Sequence, residues 1–102
     1  MSDVEVVHEP EQQRYAVSVD GRPAGFAAYI RAEGLVVMSH TEVDPSYEGQ
    51  GVGSALARAA LDDLRAEGVA VMPLCPFIKA WIQRHPDYGD LVYRAPRTNA
   101  TD

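Results

Sequence analysis

Three glycines at alternate positions, Gly49, Gly51 and Gly53, come just before an apolar segment with helical spacing. Glycine has no β-carbon, so successive backbone amides can converge on a ligand there. The first turn of a helix leaves its amides unpaired, with a partial positive charge behind them. The loop is therefore predicted to bind an anion such as a phosphate group. The alternative is a helix cap with flexible glycines, although a cap needs only one glycine or a serine.

Two common nucleotide-binding motifs do not fit this loop. The phosphate-binding loop of nucleotide hydrolases ends in Gly-Lys-Ser or Gly-Lys-Thr, whereas here Val52 and Gly53 precede Ser54 without a lysine. A dinucleotide-binding fold requires Gly-x-Gly-x-x-Gly directly after a strand, but residue 54 is serine and residues 44–48 intervene. Nucleoside triphosphate and dinucleotide chemistry are therefore disfavoured.

Three further side chains near the loop have acid–base or nucleophilic chemistry. Cys75 precedes Pro76, which suits the first position of a helix, and a helix N-terminus stabilises a thiolate. Cys75 is therefore a candidate nucleophile. His40 and Glu42 end an apolar strand and share one of its faces, so Glu42 is a candidate base, acting directly or through water. The alternatives are a small buried side chain, a half-exposed histidine and a solvated carboxylate.

Composition bounds the class of protein. A chain of 102 residues is expected to form one domain, assigned to residues 1–94 with a flexible tail at 95–102. Fifteen acidic and nine basic side chains, with no basic stripe, argue against a nucleic-acid partner. No apolar run approaches the roughly eighteen residues that span a bilayer, so a soluble, cytoplasmic protein without a membrane partner is expected. A single cysteine allows no internal disulfide and is too few for a zinc site, so no metal is expected.

Hydrophobic periodicity predicts the elements that position these residues. Strands are predicted over 4–8, 14–19, 24–30, 35–43, 69–74 and 91–93, with helices over 53–64 and 76–84. Gly68 is expected to end the first helix in a left-handed conformation, and Pro73 to interrupt its strand's hydrogen bonding. The buried stripe of the second helix is predicted to contain Phe77, Ile78, Trp81 and Ile82.

This order of elements predicts the α+β class. The unit from residue 35 to 74 is expected to be a right-handed parallel crossover in an otherwise antiparallel, hence mixed, sheet with two main helices. Ligands in such sheets bind beyond the carboxyl ends of the parallel strands, where His40, Glu42 and Cys75 are predicted to lie. Tyr88 is interpreted either as a proton donor to a leaving thiolate or as a packed aromatic. His85 is expected to satisfy the last carbonyls of its helix.

The segment Glu-Gly-Gln-Gly-Val-Gly at 48–53, followed by Ser-Ala-Leu, resembles the acetyl-coenzyme A pyrophosphate loop of the GNAT superfamily of N-acetyltransferases. More narrowly, His-Thr-Glu-Val at 40–43, Pro-Leu-Cys-Pro-Phe at 73–77 and Arg-His-Pro-Asp-Tyr at 84–88 resemble the minimal single-domain (NATD-type) members. The resemblance covers residues 38–93. It implies a compact GNAT-like fold and an acetyl-coenzyme A dependent N-acetyltransferase.

The resemblance also implies roles for particular residues. Cys75 and His40 correspond to the proposed catalytic residues of the minimal members, with His40 taking a proton from Cys75 or from the amine. The strand end beside the interruption at Pro73 would offer backbone groups to the pantetheine arm. The implied cofactor-binding residues are Thr41, Val43, Gly49, Gln50, Gly51, Val52, Gly53 and Ser54.

Two departures from the superfamily matter. Glu48 stands where a glutamine or arginine is usual, and a carboxylate opposes a pyrophosphate. Residues 4–15 lack helical periodicity, so the helices that wall the acceptor in larger members are missing, and the acceptor side is expected to be open or closed by a second subunit. We expect a monomer or weak homodimer that acetylates a small-molecule or lysine-like amine. The alternative is a non-catalytic coenzyme A-binding or protein-interaction module; thiol redox activity lacks a second cysteine.

Overall fold

Five β-strands form one mixed sheet in the computed structural model, which describes residues 3–94. The strands lie side by side in sequence order, antiparallel from the first to the fourth, and the fifth pairs parallel with the fourth. The elements are β1 (Val4–Glu9), β2 (Arg14–Val19), β3 (Arg22–Ala32), β4 (Leu35–Val43), α1 (Val52–Glu67), β5 (Ala70–Pro73) and α2 (Pro76–Arg84). The predicted fold class is confirmed. The tail predicted at 95–102 lies outside the described residues.

Local chemistry explains the element boundaries. Asp20 and Gly21 both have positive φ, 50° and 81°, the conformation that a two-residue turn needs to join twisted strands such as β2 and β3. Gly68 ends α1 with φ 77°, and its amide donates to the carbonyls of Arg65 and Leu64. The predicted left-handed end of this helix is therefore confirmed. None of the helices in residues 3–94 combines the length and apolar character needed to cross a membrane.

The two helices pack against one face of the sheet, called here the covered face. Side chains alternate along the strands except at two irregularities of register, and the residues that point to that face form one core with the apolar stripes of α1 and α2. In β2 and β3 the buried members include Tyr15, Val17, Ala27 and Tyr29. The intervening side chains point to the opposite, open face, where Ile30 is 57% exposed.

The pairing of β4 with β5 stops where Pro73 stands. Their register ends at Met38 opposite Pro73, and the amides of Leu74 and Cys75 both donate to the Met38 carbonyl, at 3.1 and 3.0 Å. Proline has no amide hydrogen to continue the ladder, so the predicted interruption is confirmed. Residues 39–43 of β4 therefore extend beyond the segment that pairs with β5. A gap opens between the two strands at this point.

The strand predicted at 91–93 is wrong. Residues Pro86–Leu91 form a 3-10 helix, and the contact with the sheet is limited to an isolated parallel bridge between Val92 and Val71, with the Tyr93 amide donating to the Val71 carbonyl at 2.7 Å. The Tyr88 hydroxyl donates to Asp62 of α1 at 2.8 Å and so holds this segment against the helix. That anchoring keeps the segment from extending beside β5.

Candidate functional site

The loop between β4 and α1 is built on a turn that Asp44 stabilises. Its Oδ1 accepts hydrogen bonds from the backbone amide and the hydroxyl of Ser46, at 2.9 and 2.8 Å, and so fixes a 3-10 turn over Pro45–Tyr47. These two bonds hold the pKa of Asp44 below its usual value. The Gln50 side chain donates to the Ser46 carbonyl at 3.3 Å and braces the same turn. Gln50, predicted to bind the cofactor, thus has a local structural contact.

Two of the three glycines form an open cradle at the start of α1. Gly49 and Gly51 have φ of 83° and 78°, and a β-carbon built on either would meet no atom within 4 Å. The first helical bond runs from the Ala55 amide to the Gly51 carbonyl at 3.0 Å. The amides of residues 52–54 come before this bond in the chain, so their hydrogens point out of the N-terminal end of α1. An anion site requires this arrangement.

The third glycine has a packing role that its sequence did not indicate. A β-carbon on Gly53 would lie 2.8 Å from Cζ of the Phe77 ring. Ser54, one residue on, accepts a hydrogen bond from Nε1 of Trp81 at 2.8 Å. Both contacts attach α2 to the first turn of α1, so Gly53 and Ser54 hold together the two walls of the site.

A pocket of about 470 Å³ lies between this loop and α2. The loop contributes residues from Val43 to Ser54, including Glu48. Four residues at the end or along one side of α2 form the opposite wall: Phe77, Trp81, Arg84 and His85. The sequence interpretation missed this wall because it assigned the spacing of Phe77 and Trp81 to the core. Trp81 is indeed buried, whereas Phe77 is only half-buried and faces the pocket.

Arg84 and His85 place polar groups beside the loop pocket. The His85 Nδ1 donates to the Trp81 carbonyl at 2.8 Å, which confirms its predicted role at the helix end. The His85 ring stacks on the Trp81 ring, with centroids 3.8 Å apart. This stacking fixes the orientation of the imidazole beside the pocket. Arg84 brings a permanent positive charge to the pocket that Glu48 also lines.

Cys75 lies at the N-cap of α2, on the covered side of β4. Its side chain is 4% exposed, and its thiol donates to the Thr41 hydroxyl at 3.2 Å. Thr41 stands opposite Ala27, which is fully buried, so both point toward the core side of the sheet. The thiol therefore lies at the gap that opens after Met38 and Pro73.

His40 and Glu42 lie on the other face. The His40 Nε2 donates to Glu42 Oε2 at 2.8 Å, and the two side chains are 58% and 63% exposed. They stand opposite Ala28 and Phe26 of β3, and the His40 and Phe26 rings are 6.0 Å apart. The prediction that His40 and Glu42 share a strand face is confirmed.

A β-bulge separates this pair from Cys75. Tyr29 pairs with Met38, but its neighbour Ala28 pairs with His40, so β4 has one extra residue, Ser39, at that point. An extra residue reverses the alternation of side chains. The structure therefore does not bring His40 to the Cys75 thiol, as direct proton transfer between them would require; the strand lies between them.

A second cavity, of about 630 Å³, lies on the open face and is called here the open groove. Its lining includes Glu9, Arg14, Phe26 and Glu42. It shares the segment from Val43 to Pro45 with the loop pocket. The two cavities therefore meet at the end of β4, one on each side of the chain.

Tyr88 packs away from this junction. Its hydroxyl donates to Asp62 and accepts from Arg58 at 3.2 Å, and the bond to Asp62 raises the pKa of Tyr88. It is 6% exposed. The interpretation as a packed aromatic is confirmed. Across residues 3–94, no group of three His, Cys, Asp or Glu side chains has the geometry of a metal site.

Comparisons with known proteins agree with this architecture. The family model described as GCN5-related N-acetyltransferase matches residues 14–91. Protein NATD1 of Gallus gallus and of Homo sapiens are each 28% identical over 86 residues, which cover 81% of this chain and 77% and 75% of those proteins.

Two solved structures share the fold. The solution structure of a GCN5-like protein of Staphylococcus aureus superposes over the full length of both chains, with a TM-score of 0.70 and 20% identity. The crystal structure of the ribosomal-protein-S18-alanine N-acetyltransferase of Escherichia coli covers 87% of this chain and 77% of its own, with a TM-score of 0.63 and 20% identity.

Proposed function

Because the chain belongs to the GCN5-related N-acetyltransferase family, we propose that it transfers an acetyl group from acetyl-coenzyme A to an amine. The observation that carries this proposal is the glycine cradle at the N-terminus of α1, which opens into the loop pocket. The gap between β4 and β5 and the two cavities that meet at residues 43–45 give the two substrates separate approaches.

The residues around the loop pocket fit the coenzyme. The open space at Gly49 and Gly51 leaves room for a diphosphate beside the amides of Val52, Gly53 and Ser54. Arg84 supplies a positive charge on the facing wall, which offsets the repulsion from Glu48. Beyond Pro73, the edge of β4 at Thr41 and Val43 has backbone groups for the amide-rich pantetheine arm. When bound, the coenzyme supplies an acetyl thioester.

Direct transfer to the amine is the mechanism that the geometry favours. The His40–Glu42 pair is exposed on the open face and can take the proton that an ammonium must lose before it attacks. Positioning of the two reactants at the junction of the cavities contributes the rest. An acyl-cysteine route requires the Cys75 thiol to lose a proton, but the group it contacts is the Thr41 hydroxyl, which is no base at neutral pH.

A second candidate function is a coenzyme A-binding module without catalysis. The observation that favours it is the open face, which no helix of residues 3–94 covers, so the acceptor lacks a wall on that side. Binding of coenzyme A without acetylation across a broad panel of amines would establish this alternative.

Coenzyme A binding to a Gly51→Val variant tests the proposal. Valine at φ 78° is strained and places a side chain in the cradle, so we expect at least about tenfold weaker binding by calorimetry, about 1.4 kcal/mol. Gly21→Val is the matched control, because Gly21 has φ 81° and equally open surroundings but lies in the distant turn between β2 and β3. Equal affinity of the two variants for coenzyme A would show that the cradle is not part of the binding site.

A further inference from the structure

The open groove has an apolar wall and an uneven distribution of charge. Phe26 forms the wall near its middle, with Ala16 and Val7 along the neighbouring strands. The ring is half-buried, and one of its sides is approached by Arg14, whose guanidinium carbon lies 5.6 Å from the ring centroid. An apolar arm that enters the groove would therefore contact an aromatic surface that the sheet already holds in place.

The positive charge of the groove is already neutralised. Arg14 Nε donates to Glu9 Oε1 at 2.6 Å, so the groove's guanidinium and one of its carboxylates pair at one end. Glu42 and Asp44 lie toward the other end, where the groove meets the loop pocket. Glu42 faces a histidine and Asp44 accepts from neutral Ser46 groups, so this end retains negative charge.

We propose that the open groove is the acceptor site and that it selects primary alkylammonium groups with no carboxylate next to the amine. The nitrogen lies at the Glu42 end, beside the segment shared with the loop pocket, and the alkyl arm lies along Phe26. A carboxylate on the adjacent carbon would face Glu42 and Asp44 and be repelled. This inference rests on the proposed function for the fate of the amine, but not for its binding.

Two protons leave the ammonium nitrogen when it is acetylated at this site. The ammonium gives one proton to the His40–Glu42 pair, which passes it to solvent from its exposed position. The neutral nitrogen forms a bond to the thioester carbonyl carbon, and the carbon–sulfur bond breaks. The second proton of the nitrogen leaves with the thiolate, so the products are an N-alkyl acetamide, a thiol and one proton in solution.

Titration of the ¹⁵N-labelled protein in the absence of coenzyme tests this selectivity for alkylammonium groups, with backbone amide chemical shifts as the readout. The probes are n-pentylamine and norleucine, which share a chain and differ by the α-carboxylate, and 1-pentanol, which lacks the charge. We expect pentylamine to shift the amide signals of Phe26 and Glu42. Pentanol lacks the attraction of the ammonium and norleucine adds the repulsion of its carboxylate, so each should bind at least about tenfold more weakly, a difference of about 1.4 kcal/mol or more. Nα-acetyl-lysine methylamide distinguishes a lysine side chain from a small amine: comparable affinity shows that the groove accepts both.

Matched variants locate the site. Phe26→Ala and Glu42→Gln are each expected to weaken pentylamine binding at least about fivefold. Two control variants lie outside the groove and should leave the affinity unchanged. Ile30→Ala truncates another large apolar side chain on the open face, and Glu33→Gln makes the same charge-removing change in the next turn. Norleucine binding as tightly as pentylamine, or shifts that avoid the groove, would overturn the inference.

A coenzyme A titration of the same samples separates the two proposals. Shifts at residues 49–54 with an unresponsive groove would overturn the acceptor site and leave the proposed function standing. Pentylamine shifts in the groove with no response of the loop to coenzyme A would support an amine site and overturn acetyl transfer.

Discussion

The two faces of the sheet differ in what their polar groups do. On the covered face the polar groups connect elements of the core: the Tyr15 hydroxyl donates to Asp63 of α1 at 2.6 Å, and the Cys75 thiol donates to Thr41. On the open face His40 and Glu42 bond to each other and stay exposed. The covered face therefore holds the fold together, and the open face keeps its acid–base groups available. β4 contributes alternate residues to both.

The largest difference between the faces should be in stability. Leu61 of α1 is fully buried against the covered face, so Leu61→Ala should lower the free energy of unfolding by about 2–5 kcal/mol. Ile30→Ala removes a large apolar side chain from the open face and should cost less than about 1 kcal/mol. Urea denaturation measures both. Equal losses would mean that the open face is covered in solution.

Acid–base chemistry should depend on the open face alone. Glu42→Gln keeps the size of the side chain but removes its charge, so we expect turnover to fall about 100-fold, with the affinity for coenzyme A unchanged. The measurement is steady-state acetylation of pentylamine, with Glu33→Gln as the control. Full activity of Glu42→Gln would exclude the carboxylate from proton transfer.

Removal of the thiol on the covered face should have a smaller effect on turnover. Cys75→Ala deletes a buried sulfur and its bond to Thr41, so a stability loss of about 1 kcal/mol is expected, with turnover within about threefold of the wild type. Mass spectrometry of the wild-type protein with acetyl-coenzyme A should find no acetylated Cys75. Abolished turnover in a folded Cys75→Ala protein would establish the acyl-cysteine route instead.

The smallest effect concerns alkaline pH. Burial, followed by the hydrogen bond to Asp63, raises the pKa of Tyr15 above its usual value of about 10. Its contribution to stability is therefore complete below about pH 10 and is lost as pH rises from there toward the folded pKa. Wild-type stability should fall more steeply above pH 10 than that of Tyr15→Phe in thermal denaturation. Parallel curves would show that Tyr15 ionises as readily in the folded protein as in the unfolded one.

Local signals in the sequence were enough for most of the fold. The bounds of β4 and α2 and the interruption at Pro73 follow from periodicity and from the missing amide hydrogen of proline, which act within a few residues. The last strand was predicted wrongly because the bond from Tyr88 to Asp62 joins residues far apart in sequence. Periodicity carries no information on such contacts.

In the candidate site, too, local features were predicted from the sequence and features that depend on tertiary structure were not. The glycine loop was predicted because its composition is itself the signal. The face occupied by His40 and Glu42 was not, since strict alternation from buried Met38 would turn both toward Cys75, and the bulge at Ser39 reverses it. The wall formed by Arg84 depends on how α2 packs on Gly53, which is a tertiary contact between helices.

A crystal structure of the coenzyme A complex most directly tests whether the coenzyme lies on the covered side of β4, away from the acid–base groups of the open face. We predict that the diphosphate lies against the amides that start α1, and that the sulfur lies in the gap beyond Pro73, beside Thr41 on the covered side. A pantetheine arm that lies across Phe26 on the open face, or a coenzyme bound away from the start of α1, would contradict it.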